Sequence, residues 1–106
     1  MKDNKKALDD YNAAVANAAD SFGADVYLQH RALFFNSIGQ YQKSINDCTA
    51  AIKLAPANFA NYTSRALSYE KLGKIDLAEK DKLKAKELGY AAPNQPTASV
   101  LVHQHR

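Results

Sequence analysis

The sequence predicts an all-α fold in which antiparallel helix-turn-helix repeats stack as a short solenoid of about five helices. Three observations support this fold class: residues recur at a fixed offset of 34 positions, apolar residues follow helical spacing, and glycines fall where helices must turn. RALFFNSIGQ begins at Arg31 and RALSYEKLGK begins at Arg65. The same offset joins later pairs: Tyr41 and Ile75, Ser44 and Ala78, Asp47 and Asp81, Ala51 and Ala85, Leu54 and Leu88.

The first element is half a repeat at residues 5–20, within a predicted helical domain of residues 1–89. DYNAAV from Asp10 matches DCTAAI from Asp47 at an offset of 37, which makes it the second helix of a pair without its first. Leu8, Tyr11 and Val15 would then lie on an uncovered apolar face. Because repeats bury their apolar faces only against neighbours, we expect a second protomer to cover this face, or the chain to be a fragment of a larger protein.

Two full repeats follow, at residues 25–58 and 59–89. Gly39 and Gly73 are placed to turn the first helix of each pair into the second, since glycine adopts left-handed backbone angles at little cost. Pro56 cannot continue a helix, so the first copy is predicted to end near Leu54. Residues 90–106 contain two prolines and no helical periodicity, and we expect an extended or disordered tail whose SVLV segment could dock elsewhere.

These residues give the chain a family resemblance: its 34-residue unit resembles the tetratricopeptide repeat, or TPR. In the first copy the resemblance depends on Leu28, Ala32, Phe35, Gly39, Tyr41, Ser44, Ala51 and Pro56, and in the second on Tyr62, Ala66, Tyr69, Leu72, Gly73, Ala78 and Ala85. The second copy departs from the family pattern at Lys82, where a bulky apolar residue is usual, and at Tyr90, which replaces the closing proline. Lys82 would point towards a following repeat, so we expect the array to end here.

The resemblance implies a non-catalytic scaffold that binds a peptide or a partner helix in a concave groove lined by the first helix of each pair. The implied groove positions are Val26, Gln29, His30, Leu33, Asn36 and Ser37 in the first copy, and Ala60, Thr63, Ser64, Leu67, Glu70 and Lys71 in the second. A carboxylate clamp of the kind found in chaperone co-factors needs Lys, Arg and Asn in this groove. His30 and Ser64 occupy clamp positions instead, which argues against binding of a chaperone tail.

Three other functions rank below the scaffold. The alternative is a structural homo-oligomer formed by pairing of the incomplete ends, with Leu8, Tyr11 and Val15 at the contact. A co-chaperone and a basic nucleic-acid binder rank lower. The chain has 14 Lys and Arg against 11 Asp and Glu, and its basic residues are interleaved with acidic ones, as on a solvated helix face.

The sequence contains no motif for catalysis, a cofactor or a metal ion, so we expect none of the three. Cys48 is the single cysteine and falls at a core position, which favours packing over a reactive thiol. Neither a secretory signal nor an apolar run of about 18 residues is present, so a cytoplasmic or nuclear location without membrane insertion is the expectation.

Overall fold

Five helices form the fold, and the computed structural model describes residues 4–18 and 23–90. They are α1 (Asn4–Asn17), α2 (Ala24–Ser37), α3 (Tyr41–Leu54), α4 (Phe59–Lys71) and α5 (Ile75–Glu87). The described residues contain no strand, so the predicted all-α class is confirmed. The SVLV segment of the tail lies outside the described residues.

The turn within each full pair has the same geometry in both copies. Gly39 has φ 81° and Gly73 has φ 76°, in the left-handed region that a side chain disfavours. The amide of the next residue then reaches back five positions, from Gln40 to the Phe35 carbonyl and from Lys74 to the Tyr69 carbonyl, each at 2.8 Å. This pair of features is the Schellman ending of a helix, and it reverses the chain within three residues as the glycines predict.

The helices stack in one direction, each against its neighbours in the chain. α2 packs on α1, α3 and α4, and α4 packs on α2, α3 and α5. Within the described ranges α1 contacts only α2, and α5 contacts only α4. The described helices therefore form a short row in which α1 and α5 each pack against one neighbour. α3 packs against two helices, α2 and α4.

Small residues allow the close approach of helices in the core. Ala32, Ala51, Ala78 and Ala85 are fully buried, and so is Cys48. Ser68 joins the two pairs, because its hydroxyl lies 3.0 Å from Asn36 Oδ1 on α2 and 3.0 Å from Ser44 Oγ on α3. At the entry to α4 the Asn58 side chain accepts a hydrogen bond from the Ala60 amide at 3.1 Å, which caps the helix.

Candidate functional site

The first helix of each pair presents an exposed leucine beside a buried alanine. Leu33 on α2 is 43% exposed and Leu67 on α4 is 42% exposed, although Ala32 and Ala66 next to them are buried. The leucines are 34 positions apart and so occupy the same place in successive repeats. Two large apolar side chains thus remain in contact with water on the side that the sequence predicts to be a groove.

The other predicted groove residues differ in how much surface they offer. Val26, His30, Ser37 and Lys71 are exposed, and Gln29, Ala60, Thr63 and Glu70 are half-buried. Ser64 is buried, which takes its hydroxyl out of the accessible groove surface. The repeat pattern predicts which side of α4 carries Ser64. It does not predict how deeply the neighbouring helices cover that side.

Asn36, another predicted groove residue, is committed to the scaffold through its amide oxygen, which accepts from Ser68. Thr63 donates to the Ala60 carbonyl at 2.9 Å and Ser37 donates to the Phe34 carbonyl at 2.7 Å. These hydroxyls bond to their own helices. The exposed groove residues are therefore Val26, Leu33 and Leu67, which are apolar, beside polar His30, Ser37 and Lys71.

A cleft of about 420 Å³ continues this surface at the end of α4 and α5. It is lined by Thr63, Ala66, Leu67, Glu70, Glu79, Lys82, Leu83, Lys86 and Tyr90. The residues 34 positions earlier include Leu33, Asn36, Cys48 and Thr49, and that earlier slot is occupied by α4, which bonds to Asn36 and Thr49. The cleft is thus the position in which a further first helix would lie.

Lys82 gives the cleft mixed charge. Its ammonium group forms an ion pair with Glu70 on α4 and another with Glu79 at 3.3 Å, and the hydrogen bonds to Glu70 and then to Glu79 raise the pKa of Lys82. In the preceding repeat the same position is Cys48, which is fully buried. The corresponding position of α5 therefore carries a charged side chain that is 48% exposed.

Two arginines that the sequence places beside the groove form internal ion pairs. Arg31 donates from Nε and Nη2 to both carboxylate oxygens of Asp47 at 2.7 Å, and Arg65 makes the same two bonds to Asp81 at 2.8 Å. The hydrogen bonds to Asp47 and Asp81 raise the pKa of each arginine. The side chains are only 20% and 19% exposed. Neither guanidinium is therefore available to hold a ligand carboxylate.

The third nitrogen of each arginine, Nη1, donates a hydrogen bond to the helix that precedes its own helix pair. Arg31 Nη1 donates to Asn12 Oδ1 on α1 at 2.9 Å, and Arg65 Nη1 donates to Thr49 Oγ1 on α3 at 3.1 Å. Asn12 and Thr49 are 37 positions apart, which is the offset that relates the half repeat to the first full copy. The sequence analysis missed these partners, although the spacing of 16 from arginine to aspartate occurs in both copies.

The predicted oligomer face on α1 is only partly covered. Tyr11 turns towards α2, where its ring centroid lies 5.5 Å from that of Phe34. Leu8 and Val15 are half-buried, and no residue within α1 is fully buried. The residues of α3 that correspond to Leu8 and Tyr11, Ile45 and Cys48, are 5% and 0% exposed.

Cys48 is a packing residue, as the sequence predicts. Burial raises the pKa of its thiol to about 12 and outweighs the hydrogen bond to Ser44, which lowers the pKa. A thiol with this pKa remains protonated at neutral pH, and it is the thiolate that reacts.

The described residues define an all-helical protein of five packed helices with a partly apolar surface along α2 and α4. No protein-family model matches the chain, and no solved structure matches it. Of the helices in residues 4–18 and 23–90, none combines the length and apolar character needed to span a bilayer.

Proposed function

We propose that the chain is a TPR-like, non-catalytic interaction scaffold of the cytoplasm or nucleus that binds an extended or helical segment of another protein along α2 and α4. The observation that carries this proposal is the pair of equivalent leucines, Leu33 and Leu67, which both remain more than 40% exposed. A leucine of this kind contributes to binding when a ligand removes the rest of its surface from water.

The expected ligand contacts the two leucines through apolar side chains and is not recognised through a terminal carboxylate. Arg31 and Arg65 are engaged with aspartates, and Ser64 is buried. The mixed charges at Glu70, Lys82 and their neighbours favour a ligand that carries polar groups of both signs towards α5. Apolar contacts along the groove with a polar rim are the usual division of roles in a protein interface.

The test uses peptides of about 15 residues selected from a random display library against the purified chain. The selected peptide is titrated against the wild type and against Leu33→Ser and Leu67→Ser. Covering the remaining exposed part of one leucine is worth about 1 kcal/mol, so each substitution should weaken binding roughly fivefold.

Leu54→Ser is the matched control, because Leu54 is 56% exposed and lies at the end of α3, outside the groove. Its affinity for the same peptide should equal that of the wild type. The proposal fails if the library yields no binder, or if Leu54→Ser weakens binding as much as the two groove substitutions do.

A further inference from the structure

Three helices of the chain carry the same short pattern on one face. It consists of a small residue, an aspartate three positions later and an alanine four positions after that: Ala7, Asp10 and Ala14 in α1, Ser44, Asp47 and Ala51 in α3, and Ala78, Asp81 and Ala85 in α5. We call this surface the aspartate face of each helix. None of these residues lines the cleft beside Leu67.

The aspartate face is covered in α3 and α5. Ser44 and Ala51 are fully buried around Asp47, which is 6% exposed. The arginine of α2 forks around the carboxylate, and Ser68 of α4 bonds to Ser44. The same arrangement of α4 on α5 leaves Asp81 4% exposed. In both cases an alanine follows the arginine, at Ala32 and Ala66, and allows the helix axes to approach closely.

Within the described part of the chain, no helix covers the aspartate face of α1. Asp10 is exposed, and Ala7 and Ala14 are only half-buried. Among residues 4–18 and 23–90, no helix other than α2 packs on α1, and Asp10 has no hydrogen bond or ion pair. The neighbouring acid differs, since Asp9 is paired with Lys5 at 3.2 Å.

The position of α1 shows on which side a further helix would pack. Arg31 on α2 donates to Asn12 of α1, as Arg65 on α4 donates to Thr49 of α3. α1 therefore packs beside α2 in the position that α3 occupies beside α4. The other side of α3 carries Asp47 and is covered by α2, which supplies Arg31. The corresponding side of α1 carries Asp10 and therefore has the shape and charge to accept a helix of the same kind.

We propose that the aspartate face of α1 docks a helix from a second polypeptide that presents an arginine followed by alanine, with the guanidinium donating two hydrogen bonds to the Asp10 carboxylate. The ligand chemistry follows from the two occupied copies in this chain. Lysine would be a weaker substitute because it lacks the planar fork that matches both carboxylate oxygens.

The probe is a synthetic peptide with the sequence of α4, FANYTSRALSYEK, which already docks on an aspartate face within this chain. It is titrated into the ¹⁵N-labelled full-length chain and followed by NMR, since a 13-residue peptide is marginally helical in water and binds weakly. We expect shifts at the amides of Asp10 and Ala14. Asp10→Asn should weaken binding at least fivefold, and so should the Arg65→Lys change within the peptide.

Asp9→Asn is the matched control, because it removes one exposed carboxylate from the adjacent position of the same helix, and its affinity should stay within twofold of the wild type. Equal losses in Asp9→Asn and Asp10→Asn would overturn the proposal. Shifts confined to α5 would also overturn it, since the peptide would then occupy only the cleft at the other end. Sedimentation that shows an α1-mediated dimer insensitive to Asp10→Asn would overturn it as well, because the face would then be covered without the aspartate.

Discussion

Removing the carboxylate of Asp47 is expected to destabilise the chain far more than removing a surface carboxylate. Asp47→Ala deletes two hydrogen bonds of 2.7 Å and leaves Arg31, only 20% exposed, without its counter-charge. Breaking a buried pair from one side costs about 3–5 kcal/mol, and the residual exposure of Arg31 places this pair near the lower value, about 3 kcal/mol. The loss is a substantial part of the ~5–15 kcal/mol by which a small domain is stable.

The assay is urea unfolding followed by circular dichroism at 222 nm for Asp47→Ala, Arg31→Ala and the double variant. The double variant leaves no unpaired buried charge, so its loss should fall short of the sum of the two single losses by about 2 kcal/mol. Asp9→Ala, which breaks the exposed pair with Lys5, should leave the midpoint unchanged. Additive losses in the Asp47 cycle would refute the reasoning, because the pair would then contribute no coupling.

Three further substitutions test single features of the fold. Gly39→Ala should lower the free energy of unfolding by about 1–2 kcal/mol, because φ at this position is 81°. No atom lies within 4 Å of the added carbon, so the backbone angle alone causes the loss. Urea midpoints for Gly39→Ala and the milder Gly39→Asn check this. Asn61→Leu should raise that free energy by about 1 kcal/mol in thermal unfolding, because the Asn61 amide is fully buried and neither of its polar atoms has a partner among the residues that the structure describes. A lower midpoint would contradict it. The Cys48 pKa lies above its ordinary value of 9.0, so the stability that the protonated thiol contributes is complete below pH 9 and is lost as pH rises towards about 12. The difference in stability between wild type and Cys48→Ala should therefore change only across that interval.

The sequence predicts the helices of this fold because their signals are local. The glycine at each turn, Pro56 after α3 and the helical spacing of apolar residues each act within a few positions, and α3 ends at Leu54 as predicted. The partners of Arg31 and Arg65 were missed because a bond over 16 positions depends on how two helices pack. Ser64 shows the same limit at the candidate site, since its burial is set by neighbouring helices that its own periodicity does not describe.

Each of the two arginines belongs to two contacts at once, one within its helix pair and one with the preceding pair. The bidentate bond to aspartate fixes the orientation of the guanidinium as well as its distance from the carboxylate. The hydrogen bond from Nη1 then fixes the angle between each helix pair and the helix before it. The separation of Leu33 and Leu67 is then set when the chain folds, before any ligand arrives. A partner segment would meet a surface whose curvature needs no further ordering, and the conformational entropy lost on binding would fall mainly on the partner.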